Sequence, residues 1–136
     1  MILGLDISTS ITGATVVDNK GNVVYCEAWD TRKIKGFFDK ASLIKSHLID
    51  VRIEFPITHI VVEQSLQMFR AGFSSAKTLT LLSKFNGVVS WLCYNTFGLE
   101  PEYVSATTAR KQAGNPKPGT YDRADSAVLA LSVLKN

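Results

Sequence analysis

The first eighteen residues, MILGLDISTSITGATVVD, hold one acid inside an apolar run. Read as a strand, residues 2–8 alternate. Ile2, Gly4, Asp6 and Ser8 fall on one face, and Leu3, Leu5 and Ile7 on the other. Ser8-Thr9-Ser10 and Thr12-Gly13 have turn composition, and residues 13–18 read as a second strand. A carboxylate in the middle of a buried strand is costly unless its charge is compensated. Asp6 therefore calls for a partner cation or a metal, and the rest of the chain can be searched for residues that would build such a site.

Residues 18–22, DNKGN, form a hairpin loop leading to a third strand over 22–30, so the chain opens as an antiparallel meander. A basic connector, 31–35, follows. Residues 37–53 then place Phe37, Ala41, Ile44, Leu48 and Val51 at helical spacing. Pro56 ends that helix ahead of a strand over 57–63, whose Ile60-Val61-Val62 run suits a strand covered on both faces. Residues 64–73 read as a loop. Ser74 or Ser75 caps a long helix reaching Asn95 or Thr96, with Gly98 as its terminator. A short strand over 101–105, a short helix over 107–112, a Pro/Gly loop over 114–119 and a last helix over 121–134 complete the order. The expected fold is α/β: a five-stranded mixed sheet flanked by helices, with the first strand between the meander and the fourth strand.

A chain of 136 residues with 46% hydrophobic content suits a single domain over 1–136 with a real core. A net charge of +3 permits a nucleic-acid partner without requiring one. Cys26 and Cys93 have no metal-ligand spacing and read as small buried hydrophobes, reduced in a cytoplasmic setting. No leader pattern opens the sequence, and Lys84 and Asn86 interrupt the longest apolar run, so no membrane association is expected.

Four acids are candidates for one constellation. Asp6 and Glu63 lie late in apolar strands, and Asp122 and Asp125 are three apart at the start of the last helix. Ligand sites in such sheets favour the carboxyl ends of strands. Four converging carboxylates would repel one another, and hard divalent cations, Mg²⁺ or Mn²⁺, resolve that repulsion. Two such ions about 3.5–4 Å apart would suit phosphodiester hydrolysis. Each acid alone has a plainer reading: Asp6 paired with a lysine or turn amides, Glu63 opening a loop, Asp122 and Asp125 capping a helix.

The motifs resemble those of the RuvC family of Holliday-junction resolvases, with a ribonuclease H-like fold. Ile2-Leu3-Gly4-Leu5-Asp6 with Ser10-Ile11-Thr12-Gly13 is similar to the family's first motif. Val61-Val62-Glu63-Gln64 resembles the second, and Asp122-Arg123-Ala124-Asp125-Ser126-Ala127 the closing acid-x-x-acid motif. The resemblance spans most of the chain in the right order. It implies a homodimeric endonuclease that cuts four-way DNA junctions, with Asp6, Glu63, Asp122 and Asp125 as ligands of two Mg²⁺ ions. The chain departs from the family at Ile7-Ser8, where a glycine is usual, and between Arg110 and Asp122, which is short. Either those residues are lost or a mobile segment near Gly114-Asn115 is left out of the sequence.

Arg70, Lys77, Lys84, Arg110, Lys111, Lys117 and Arg123 are available for phosphate contacts, which carry affinity without base information. Arg110 matches a basic position of the family. The loop after Glu63 resembles the family's junction-wedging segment, which makes Leu66, Phe69 and Phe73 candidate wedges. Helix 75–95 is apolar on more than one face. One stripe suits the sheet, and the resemblance gives the other to a twofold dimer. The readings to be separated from junction cleavage are a nuclease for flaps, other branches or RNA–DNA hybrids, a silent DNA-binding module, and an actin- or sugar-kinase-like ATP-binding lobe. The last has little room for a second lobe in 136 residues.

Overall fold

A computed structural model describes residues 1–64 and 75–105. The elements are β1 (Ile2–Asp6), β2 (Ile11–Val17), β3 (Val23–Asp30), α1 (Phe37–Glu54), β4 (His59–Gln64), α2 (Ala76–Phe97) and β5 (Glu102–Ser105). The strands form one sheet in the order β3-β2-β1-β4-β5. β1 pairs antiparallel with β2 and parallel with β4, and β4 pairs parallel with β5. This is the mixed sheet that the apolar patterns call for, with β1 at its centre. The short helix over 107–112 and the last helix over 121–134 lie outside the described residues.

Alternation divides the sheet into two faces. Leu3, Leu5, Ala14, Val16, Trp29, Ile60 and Val62 form a core with Ala41, Ile44, Leu48 and Val51 of α1 and Phe85, Val89, Leu92 and Cys93 of α2. Those α1 positions recur every three or four residues, so one narrow stripe of the helix is buried while Lys45 and Asp50 stay in water. Phe37 meets Phe85 edge to face at 5.4 Å and joins the two helices. On the opposite face Ile2, Thr15, Val17 and Val61 are also buried. β4 is thus apolar on both sides, as its unbroken Ile60-Val61-Val62 run requires.

The ends of α2 follow local chemistry. The Ser75 hydroxyl accepts the Thr78 amide at 3.1 Å, and Gly98 closes the helix at φ 70°, where its amide bonds the Tyr94 carbonyl. The first turn of the meander is shorter than its composition suggests. β1 stops at Asp6 and β2 already begins at Ile11, which places Thr12 and Gly13 in a strand and not in the turn. The reason is side-chain bonding. The Thr12 hydroxyl donates to the Ser8 carbonyl at 3.1 Å and accepts the Ser8 amide at 3.3 Å, closing the turn from inside the strand.

Candidate active site

Parallel pairing of β1 and β4 runs Ile2–His59, Leu3–Ile60, Gly4–Val61 and Leu5–Val62. One step further along both strands stand Asp6 and Glu63. Leu5 and Val62 point into the core beneath α1 and α2. The next residue of each strand therefore faces the other way, and the two carboxylates share the face turned from those helices. Adjacent strands lie about 4.8 Å apart, so the acids are direct neighbours across the ladder.

The register extends this into a row. Asp6 pairs with Gly13, Gly13 with Ala28, and Glu63 with Val104. The acid pair is flanked on the β2 side by a residue with no side chain and then by a methyl group. Gly4, two positions before Asp6 on the same face, is likewise bare. Among the described residues, Asp6 therefore has glycine both across the ladder and two positions before it. Both acids are half-buried, within reach of solvent yet anchored in the sheet.

The turn that follows Asp6 is held from several directions. Thr31, fully buried, donates its hydroxyl to the Thr9 carbonyl at 2.8 Å and to the Ser10 carbonyl at 3.1 Å; its amide also donates to Ser10 at 2.8 Å. Lys40 of α1 donates its ammonium to the carbonyls of Thr9 at 2.6 Å and Thr31 at 3.0 Å. Ser8 Oγ accepts the Ser10 amide at 3.1 Å and lies 2.9 Å from Ser10 Oγ, which leaves two hydroxyls on the exposed side of the turn. Next to Thr31, Arg32 folds back on Asp30 at 2.7 Å. The guanidinium and the Arg32 amide hold the Asp30 carboxyl down to about 2.

Of the four acids read from the sequence, Asp6 and Glu63 are brought together; Asp122 and Asp125 lie outside the described residues. So do Leu66, Phe69, Arg70, Phe73, Arg110, Lys111, Lys117 and Arg123. Lys77 stands exposed in the first turn of α2, and Lys84 beside the groove between α1 and α2. Sequence reading placed Thr12 in the turn and assigned no role to Thr31 or Lys40. Their only signal is a wealth of threonines around the turn, and nothing local points to a lysine 31 positions away.

The donor set fits a hard cation: two adjacent carboxylates on a rigid frame, with glycine beside them. Among the described residues no group of three or more metal-binding side chains gathers, so the pair alone would make half of the four-acid set.

No family model and no curated protein matches this sequence. Solved structures do. RuvC of Thermus thermophilus, in complex with a Holliday junction substrate, superposes with a TM-score of 0.76 at 13% identity, over 96% of this chain and 90% of that one. The fold is that of the RuvC-type resolvases. A second structure of Thermus thermophilus RuvC gives a TM-score of 0.71 at 15% identity, covering 96% of this chain and 91% of that chain. The yeast mitochondrial Holliday junction resolvase gives 0.60 at 14%, over 98% of this chain and 77% of its own. At identities this low the superpositions show the architecture alone, ribonuclease H-like with its mixed sheet and covering helices. The chemistry has to be argued from the side chains.

Proposed function

We propose that this chain is a metal-dependent endonuclease that hydrolyses phosphodiester bonds in branched DNA, with the four-way junction as its substrate. The observation that carries the reading is the register of β1 on β4, which sets Asp6 beside Glu63 at the strand ends of a RuvC-type sheet. Structures of this fold include one in complex with a Holliday junction substrate.

Asp6 and Glu63, with Asp122 and Asp125, would hold two Mg²⁺ ions, or Mn²⁺ in their place. Such a pair, when bound, supplies an activated water and charge stabilisation at the departing oxygen. The protein's own part is to fix the carboxylates before substrate arrives. The central strand does this for Asp6 and its parallel neighbour for Glu63, so both acids are carried on the sheet. Arg70, Lys77, Arg110, Lys111 and Lys117 would neutralise phosphates, in keeping with the net charge of +3. Leu66, Phe69 or Phe73 would wedge the branch point. α2 exposes Leu81, Trp91 and Tyr94 away from its sheet-facing stripe, and that face would pair two copies.

The test is cleavage of matched substrates (four-way junction, flap, duplex and RNA–DNA hybrid) with and without Mg²⁺. Junction cutting that requires Mg²⁺ and exceeds the other three supports the proposal. Preference for the flap or hybrid moves the enzyme to another substrate on the same site. No cutting of any substrate with either Mg²⁺ or Mn²⁺ overturns it.

A further inference from the structure

Lys40 sits outside the buried stripe of α1, where a lysine is ordinarily solvated. Here it is half-buried, and its ammonium is spent on two backbone carbonyls, those of Thr9 and Thr31. Hydrogen bonds from an ionised donor are shorter and stronger than neutral ones, and the 2.6 Å bond to Thr9 is of that kind. The Thr9 carbonyl takes a second bond from the Thr31 hydroxyl at 2.8 Å. Thr31 in turn holds the Ser10 carbonyl through both amide and hydroxyl. Helix α1, the end of β3 and the β1–β2 turn are therefore tied at one point, three residues after Asp6.

From this we infer that Lys40 is a positioning residue for Asp6. Pinning Thr9 fixes where β1 leaves the sheet, and so where the Asp6 carboxylate stands relative to Glu63. Thr31 acts with it, and the Ser8 and Ser10 side chains bond each other within the same turn. The role toward Asp6 rests on the metal-nuclease reading above; the pinning of the turn does not.

Lys40→Met removes the donor and keeps most of the apolar stem, while Lys40→Arg keeps a cationic donor. Three readouts apply: amide exchange at Ser8 and Ser10 by NMR in metal-free protein, Mg²⁺ binding by calorimetry, and thermal melting. In Lys40→Met, exchange at Ser8 and Ser10 should accelerate and Mg²⁺ affinity should fall roughly ten-fold, the low end for loss of a group that orients a metal ligand. Lys40→Arg should recover most of both. A Lys40→Met protein that melts lower yet keeps wild-type exchange at the turn and wild-type Mg²⁺ affinity overturns the inference, since Lys40 is then only a tether. If Lys40→Met does not fold, Thr31→Val removes the second donor to Thr9 and is read the same way. Wild-type protein that binds no Mg²⁺ removes the nuclease reading and the role toward Asp6 together. Binding that is equal in wild type and Lys40→Met removes the role of Lys40 alone.

Discussion

Asp6 owes its position to pairing with Gly13 on one side and, on the other, to the β1–β4 ladder that ends one residue earlier at Leu5 and Val62. A side chain held in this way cannot be replaced by a neighbour. Asp6→Asn and Glu63→Gln keep shape and remove a charge each. Each should lower Mg²⁺-dependent junction cleavage by more than roughly 100-fold, beyond the loss expected for an outer-shell partner. Junction binding in gel shift should hold or tighten, because less negative charge faces the phosphates. Normal cleavage by either variant would mean that the acids serve the fold and not the chemistry. His47 behaves differently. It is half-buried and stacks on Trp29 at 4.9 Å and 7°. Burial pulls its pKa below 6.5, against the opposing charge of Asp50. The unfolded chain therefore binds the proton more readily than the folded one. The stability this contributes is full above the unfolded pKa and is lost as pH falls from there through the lower folded pKa. Urea unfolding compared at about pH 7.5 and about pH 5.5 should show that decline, and His47→Phe, which keeps the stack, should flatten it. The place of Asp6 late in the first strand was legible because an acid breaks an apolar alternation. Thr12 was not, since threonine suits turns and strands alike and only its bond to Ser8 decides between them.

At the level of elements, periodicity carried nearly all that was readable. The α1 stripe of Ala41, Ile44, Leu48 and Val51 is the buried one, and Gly98 ends α2 as its place after the apolar run implies. What the sequence hides is tertiary bonding across long separations, such as Lys40 to the β1–β2 turn, because no local pattern records it. The two described glycines at and inside α2 make opposite cases. Gly98 has φ 70°, where a side chain is strained, so Gly98→Ala should destabilise by about 1–2 kcal/mol. Gly87 lies within the helix, and an added Cβ there meets nothing within 4 Å. Gly87→Ala should stabilise by roughly 0.5–1 kcal/mol through helix propensity alone. Urea midpoints of the two single variants measure both. A Gly87→Ala protein that is less stable than wild type would mean that something approaches that helix surface closely.

The whole molecule presents its acid pair on one face of the sheet and an apolar groove on the helical side. The groove, about 690 Å³, runs between α1 and α2 and is lined in part by Phe37, Phe38, Val88 and Trp91, with Lys45 and Lys84 beside it. Phe38 is 74% exposed and Trp91 60%, which is unusual for large apolar side chains placed close together. On the proposed reading, α2 of one copy packs against α2 of the other and covers this surface, so a four-way junction with near-twofold symmetry meets two acid sites at once. Trp91→Glu puts a charge at the centre of that contact. Loss of a buried aromatic anchor commonly costs 2 kcal/mol or more, so the dimer should weaken by at least about 30-fold. Sedimentation velocity at micromolar concentration should then show a monomer where wild type sediments as a dimer. Trp91 is exposed in the single chain, so the variant should still fold and melt cooperatively, with its melting temperature lowered only by the lost association. Junction cleavage by the variant should shift from paired nicks toward single ones, measured as linear against nicked product from a supercoiled cruciform plasmid. A variant that remains dimeric with paired nicks would place the interface away from this groove, and a monomeric wild type would remove the paired-site account while leaving the Asp6–Glu63 chemistry to stand on its own test.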